Sequence, residues 1–118
     1  MKKKYCIITN KKPAIELYVA GSFLERLRGL LGTKTLKAYT GLLLADCNAV
    51  HMFFMRYALD IVYVDADFRI VKIVSDLHPW QISGCCKAKH TIELPAGTVK
   101  TLEWTLHSYL KLSKSARV

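Results

Sequence analysis

Chemically reactive side chains of several kinds lie in one continuous run, residues 47–65, which reads CNAVHMFFMRYALDIVYVD. The run contains a thiol, an imidazole, a guanidinium and two carboxylates among residues that are otherwise apolar and typical of a buried strand. A polar group that is buried without a hydrogen-bond partner costs several kcal/mol, so each of these groups needs a partner in the fold or in a ligand. We therefore expect a site of structural or functional importance in this run.

Charged residues in and around the run predict a polar cluster between a helix and a sheet, because one guanidinium can bind two carboxylates through parallel hydrogen bonds. Two interpretations stay open: an ion-pair network that fixes the topology, which we favour, and a pocket for an anion or small ligand. The His-Pro-Trp segment at 78–80 predicts a contact loop beside this pocket. The candidate ligand-binding residues are Arg56, Asp60, His51, Trp80, Arg26 and Glu93.

Cysteine and histidine residues offer an alternative site, since the first pair is four residues apart and a second group follows with a similar spacing. Such ligands favour tetrahedral zinc, although the chain has no C-x-x-C motif. A reactive thiolate with a neighbouring base is a further alternative. We favour the simpler interpretation, in which the cysteines are packing residues, and expect no cofactor, with zinc as the alternative. The candidate metal ligands are Cys47, His51, Cys85 and His90.

The same region is rich in aromatic residues and methionine. These side chains can line an apolar pocket, but we expect most of them to form the core. The residues concerned are Met52, Phe53, Phe54, Met55, Tyr57, Tyr63 and Trp80.

The composition is that of an ordinary folded domain with a strong basic charge. The 118 residues include 18 Lys and Arg against 9 Asp and Glu, which gives a formal net charge of +9. We expect a single domain over residues 1–118, with basic flexible tails at 1–4 and 113–118. Basic tails attract polyanions through counterion release, so non-specific polyanion binding is a second alternative function. Nucleic-acid binding is disfavoured, because no reading motif accompanies the charge.

The sequence predicts a location away from the membrane. No stretch approaches the roughly 18–20 apolar residues that a membrane span requires. The basic start, Met-Lys-Lys-Lys, precedes an apolar segment shorter than the roughly 7–15 residues of a signal peptide. We therefore expect a cytoplasmic protein whose cysteines are not joined in disulfides.

Hydrophobic periodicity predicts many short strands and few helices. Ser22 and Glu25 form a capping box that opens a short helix ending at Gly32. From Thr98 onward a helix and an alternating strand fit equally well. The strands are expected at residues 4–9, 15–19, 41–44, 50–55, 59–64, 70–74 and 91–94, the Asp-rich segment 65–69 forming a hairpin turn.

The predicted fold class is therefore mainly β (β-rich α+β): a compact antiparallel sandwich or barrel with one or two short helices. Three ordered motifs add a family resemblance, because residues 25–32 (ERLRGLLG), 50–65 and 92–97 (IELPAG) resemble the opening helix, central signature and closing strand of the DUF192 family. Cys47 and Trp80 fall where the cysteine-containing branch of that family has such residues. The resemblance implies a compact, mainly antiparallel β domain with short helices and no established reaction.

Two features depart from the family pattern. Met52 stands where the resembling branch usually has a small polar residue, and residues 102–112 lack the usual Gly-Asp turn before a last strand. The resemblance therefore does not predict the C-terminal edge of the sheet. Phosphate-binding glycine loops, HExxH and G-x-S-x-G are absent from the sequence. We therefore predict a binding or accessory module for a small ligand or a protein partner, without recognisable enzymatic apparatus.

Overall fold

Strands dominate the computed structural model, which describes residues 2–8, 14–20 and 38–114. The helix predicted at 22–32 lies outside these residues. The prediction of a mainly β fold is confirmed, and the described part contains no helix of the length and apolarity needed to cross a membrane. The described residues form one helix, α1 (Thr98–Leu102), and nine strands: β1 (Lys2–Ile8), β2 (Ile15–Ala20), β3 (Thr40–Leu44), β4 (Ala49–His51), β5 (Leu59–Val64), β6 (Ile70–Leu77), β7 (Ile82–Gly84), β8 (His90–Pro95) and β9 (Lys111–Lys114).

Seven strands form one sheet in the order β6-β5-β8-β3-β2-β1-β9, and β4 pairs with β7 in a second, two-stranded sheet. Every neighbouring pair is antiparallel except β2 and β3, which run parallel from Glu16 opposite Thr40 to Ala20 opposite Leu44. The antiparallel prediction is corrected at this pair. Parallel neighbours need a long connection, and residues 21–39 between the two strands supply that length.

The large sheet is curled, but it is not a closed barrel. Its edges approach each other where Arg69 and Tyr109 form an isolated bridge. Beside this bridge the N–H of Leu110 donates to the carbonyl of Phe68 at 2.9 Å. Among the described strands β6 and β9 do not pair with each other, so short-range contacts around this bridge, and not a continuous strand pairing, join the two edges.

The two faces of the curled sheet carry separate apolar clusters. All six residues of β5 are buried and alternate between the faces. Val62 and Val64 belong to one cluster, which also contains Leu110 from beside the Arg69–Tyr109 bridge. Because this bridge joins the two edges on that side, we call this face concave. Ile61 and Tyr63 belong to the cluster on the other, convex face, which the small sheet β4-β7 covers. This double burial explains why β5 is an almost uninterrupted apolar run.

Strand pairing corrects the prediction for the chain ends. β1 begins at Lys2 and pairs with both β2 and β9, and β9 extends to Lys114. Residues 2–4 and 113–114 therefore lie in strands and not in flexible tails, whereas residues 1 and 115–118 lie outside the described part. Both elements that were predicted after Thr98 occur in succession, since α1 begins there and β9 follows.

Gly97 offers a test of the backbone at the start of α1. Its φ of +92° lies in the left-handed region, and a Cβ at this position would have no atom within 4 Å. We expect Gly97→Ala to lower the free energy of unfolding by about 1–2 kcal/mol through backbone strain alone. Gly84→Ala is the matched control, because its Cβ would make only ordinary contacts, the shortest 3.5 Å to Ala49. Equal urea midpoints for the two variants would contradict this explanation.

Candidate functional site

Asp60, the central carboxylate of the predicted cluster, is a structural residue. It is 1% exposed on β5, and its Oδ1 accepts a hydrogen bond from the backbone N–H of Asp76 at 2.9 Å. Its Oδ2 accepts from the N–H of Gly97 at 3.1 Å and of Val99 at 3.0 Å. One carboxylate therefore ties together β5, the end of β6 and the start of α1, and its charge is satisfied by backbone donors.

Arg56 does not reach this carboxylate. It is exposed in the loop between β4 and β5, and the ion pairs given for the described residues join His78 to Asp76 and Lys89 to Asp46. Arg56 and Asp60 form none of these ion pairs, so a pocket that joins them stays a prediction.

Of the other two members of the predicted cluster, one lies on the convex face of the sheet. Glu93 is 5% exposed on β8, opposite Leu42 and Ile61, both of which belong to the convex cluster. Arg26 lies outside the described residues. The contact between Glu93 and Arg26 that the predicted cluster requires therefore stays a prediction.

Backbone N–H groups occupy one nitrogen of each imidazole of the predicted metal site. Nδ1 of His51 accepts from the N–H of Phe53 at 3.3 Å, whereas Nδ1 of His90 accepts from the N–H of Asp46 at 3.1 Å at the start of β8. Within the described ranges no three His, Cys, Asp or Glu side chains converge as metal ligands. The described residues therefore do not assemble the tetrahedral zinc set.

Two of the cysteines pack beside a buried tyrosine. Cys47 and Cys85 are half-buried against the convex cluster, and Cys47 Sγ donates to the carbonyl of Ala49 at 3.1 Å. Burial raises the pKa of Tyr63, the hydrogen bond to Ser83 opposes that rise, and the charges of Cys85, Cys47 and Glu93 add to it. The environment of both thiols is thus that of packing residues next to a hydrogen-bonded hydroxyl.

The side chains that the structure does bring together are aromatic. Phe53 stacks near His51 with ring centroids 4.6 Å apart and near Trp80 at 5.7 Å, and Phe54 contacts Trp80 edge-on at 4.9 Å. Two backbone hydrogen bonds fix the loops that carry these rings, from Met52 N–H to Gln81 O and from Trp80 N–H to Met52 O, both 2.8 Å. We call His51, Phe53, Phe54 and Trp80 the aromatic surface.

The aromatic surface is exposed and its backbone is strained. Phe54 is 64% exposed and Trp80 is 58% exposed, although both are large apolar side chains. Phe54 has a φ of 67° and Trp80 a φ of 72°, which places both in the left-handed region. A bulky residue there costs on the order of 1–3 kcal/mol, and such strain concentrates at functional sites. Neither side chain recovers that energy by burial in the core.

The two segments that form this surface are almost devoid of charge. Residues 47–59 and 77–86 contain a single Lys, Arg, Asp or Glu residue, Arg56, in a chain that is 23% charged. The aromatic surface is therefore an apolar patch with one arginine near it in the sequence. Sequence reasoning identified Trp80, His51 and Arg56 but assigned Phe53 and Phe54 to the core.

His90 stands apart from that surface and provides a pH-dependent prediction. Burial holds the pKa of His90 below its ordinary value of 6.5; the Asp46 carboxylate opposes this effect and Lys89 adds to it. As the pH falls below 6.5, the unfolded chain takes up the proton first, so stability is lost in that range. We expect the urea midpoint to decrease from about pH 7 to about pH 5, and less so in His90→Gln.

The control for this titration is His78→Gln, which removes an exposed histidine. Its pH dependence should match that of the original chain. An unchanged slope in His90→Gln would contradict the assignment to His90.

Comparison with known proteins identifies the family. A family model described as an uncharacterised conserved group, DUF192, matches residues 6–111. The chain is 30% identical over 92 residues to the UPF0127 protein PH1112 of Pyrococcus horikoshii, covering 75% of this chain and 79% of that protein. It is 34% identical over 90 residues to the UPF0127 protein TK1120 of Thermococcus kodakarensis, covering 72% of this chain and 57% of that protein.

Solved structures share the fold at lower sequence identity. One is a candidate transcription regulator from Sinorhizobium meliloti, with a TM-score of 0.76, 21% identity and coverage of 95% of this chain and 92% of that chain. Another is a protein of unknown function from Novosphingobium aromaticivorans, with a TM-score of 0.75, 16% identity and coverage of 92% and 83%. At these identities the likeness shows the fold alone. The match over residues 6–111, which includes all three motifs, shows that this chain belongs to the uncharacterised DUF192 family.

Proposed function

We propose that this chain is a binding module that docks a partner protein through the aromatic surface. The observation that carries the proposal is the pair of exposed aromatic residues, Phe54 and Trp80, held in left-handed backbone conformations. Selection for stability alone favours Gly or Asn at such positions. Aromatic side chains that are kept there, in contact with each other and with solvent, are better explained by a contact outside the chain.

The composition of the surface favours a protein as the partner. Interface cores are enriched in Trp, Phe and Arg and depleted of Lys, Glu and Asp, and binding hot spots are enriched in Trp and Arg. The segments 47–59 and 77–86 have this composition, with Arg56 as the one charged residue. A strand of nucleic acid needs several phosphate contacts in addition to stacked bases, and this surface offers one permanent positive charge. The surface is also fixed by the 2.8 Å backbone hydrogen bonds of Met52, which limits the ordering cost of binding.

The proposal is tested by placing a photo-crosslinking amino acid at Phe54 and, as the matched control, at Tyr109. Tyr109 is 67% exposed and lies outside the aromatic surface. In the cells that naturally make this protein, we expect a discrete protein adduct from position 54 that is absent from position 109. The partner protein in the adduct is identified and purified on its own. Its affinity for the chain without the photo-crosslinking amino acid is then measured by calorimetry.

The proposal is supported if the chain binds the purified partner saturably and Tyr109→Asn does not change the affinity. A concentration-dependent dimer of this chain that Phe54→Asn dissociates would identify a second copy as the partner. Adducts that do not differ between positions 54 and 109, or a purified partner whose affinity Phe54→Asn leaves unchanged, would contradict the proposal.

Polyanion binding is a second candidate, because β1 pairs with β9 and brings the basic ends of the chain to one edge of the sheet. Lysine on an edge strand also prevents edge-to-edge aggregation, so the arrangement has a structural explanation as well. We expect heparin affinity to fall steeply with salt and to decrease in the double variant Lys111→Ser, Lys114→Ser. Binding that is insensitive to salt would exclude this candidate.

A further inference from the structure

A cleft of about 580 Å³ lies at the concave face, and none of its lining residues belongs to the aromatic surface. Its volume falls within the range of roughly 300–1,000 Å³ that is typical of small-molecule sites. Most of the lining is aliphatic or aromatic, with one carboxylate and one imidazole. The lining residues are Val19, Leu43, Ala45, Ala66, Asp67, Phe68, His90, Leu110 and Leu112.

Backbone contacts fix the walls of this cleft. Leu110 N–H donates to Phe68 O at 2.9 Å, and Ile70 N–H donates to Ser108 O at 2.8 Å, which joins the two edges of the sheet. On the opposite wall Lys89 N–H donates to Val64 O at 2.8 Å and so positions the start of β8. The cleft is therefore largely formed before any ligand binds, as is usual for small-molecule sites.

His90 supplies a hydrogen-bond donor to this cleft. Its Nδ1 accepts from the Asp46 N–H at 3.1 Å, so in the neutral ring the proton resides on Nε2. The ring stacks on Phe68 with centroids 5.2 Å apart and an interplanar angle of 27°, which fixes its orientation. No acceptor for Nε2–H is present among the described residues. Burial keeps the ring neutral near pH 7 by lowering the pKa of His90.

The charge of the lining limits the class of ligand. Asp67 is the one formally charged residue in it, and its carboxylate is exposed at the turn between β5 and β6. A negative charge at the rim repels anions, and aliphatic walls disfavour any ion that must lose its hydration. We propose that this cleft binds an uncharged, mainly apolar small molecule whose carbonyl oxygen accepts a hydrogen bond from Nε2–H of His90.

The proposal is independent of partner docking, because the cleft and the aromatic surface share no residue. The probe is Prodan, an uncharged naphthalene with one carbonyl acceptor whose emission shifts to the blue in an apolar site. We expect saturable one-to-one binding to the full chain. N-phenyl-1-naphthylamine is the comparison probe, because it is apolar and uncharged but has no carbonyl.

Three variants locate the site. Ala45→Phe adds a large side chain to the cleft from an exposed position, and should weaken both probes at least tenfold. His90→Phe retains an aromatic ring but removes the donor, and should weaken Prodan at least tenfold while changing the comparison probe less than twofold. Phe54→Asn, on the aromatic surface, should change neither probe.

The absence of saturable Prodan binding would overturn the proposal, as would binding that Ala45→Phe leaves unchanged. Binding lost in Phe54→Asn would place the probe on the aromatic surface and would also overturn it. Equal effects of His90→Phe on both probes would remove the carbonyl specificity and so overturn the stated ligand class.

Discussion

Replacing Asp60 by asparagine is expected to lower the free energy of unfolding by at least about 3 kcal/mol. The carboxylate accepts three backbone hydrogen bonds, from Asp76, Gly97 and Val99, at a site that is 1% exposed. Hydrogen bonds to a buried charge contribute about 1.5–3 kcal/mol each, and an amide NH₂ group facing N–H donors leaves some of them unsatisfied. Urea unfolding measures the loss.

Asp67→Asn is the matched control for this prediction, because Asp67 is exposed. Its effect should stay within about 0.5 kcal/mol, as for most surface substitutions. A loss below about 1 kcal/mol in Asp60→Asn would show that the carboxylate does not hold β5, β6 and α1 together.

The second large effect is expected on binding. Once the partner has been identified, the double variant Phe54→Asn, Trp80→Gly should lower its affinity at least about a hundredfold, since hot-spot residues contribute about 2 kcal/mol or more each. The two rings touch, with centroids 4.9 Å apart, so the effects of the single variants need not add. Both replacements are residues that tolerate the left-handed backbone.

Calorimetric titration of the double variant against the purified partner gives this affinity. Tyr109→Asn, which removes another exposed aromatic ring, should bind within about twofold of the original chain. A double variant that binds as tightly as the Tyr109→Asn control would exclude the aromatic surface as the docking site.

The hairpin of β5 and β6 was predictable because local rules decide it. The apolar run 59–64 and the Asp-rich turn 65–69 specify two strands and their connection, and the structure contains both. The parallel pair of β2 and β3 was not predictable in the same way. The direction of β3 relative to β2 depends on the long connection between them and on the pairing of β2 with β1 on its other side. The alternation of apolar and polar residues within β2 contains no information about either.

The sequence indicated that Asp60 needs hydrogen-bond partners but did not indicate which groups supply them. A buried Asp60 needs donors, and the sequence offered Arg56 as an obvious one, whereas the fold supplies three backbone N–H groups from distant segments. Nearly every residue has a backbone N–H group, so the amino-acid sequence does not show which of these groups will act as donors. The zinc alternative depends on the fold in the same way, because a spacing of four residues does not show whether side chains converge, and among the described residues no three His, Cys, Asp or Glu side chains do so.

The aromatic residues were misassigned for a related physical reason. Phe53 and Phe54 continue the apolar run of β4, and hydrophobicity alone predicts that they are buried. The chain instead turns at this point, with the N–H of Met55 bonded to the carbonyl of Met52 at 3.2 Å, and the left-handed backbone of Phe54 directs its ring outward. The low density of charge in residues 47–59 and 77–86 is the sequence feature that fits the proposed partner surface.

We infer that the strained backbone conformation of Phe54 is retained because its exposed ring contributes to binding and not to folding. The most direct measurement is the free energy of unfolding of Phe54→Asn beside that of Phe68→Asn. Both residues have a left-handed backbone, with φ values of 67° and 61°, but Phe68 packs against the concave cluster and Phe54 is 64% exposed. We predict that Phe54→Asn keeps or raises stability, while Phe68→Asn lowers it by about 1–3 kcal/mol. An equal loss in both variants would show that Phe54 stabilises the fold, and would contradict the claim.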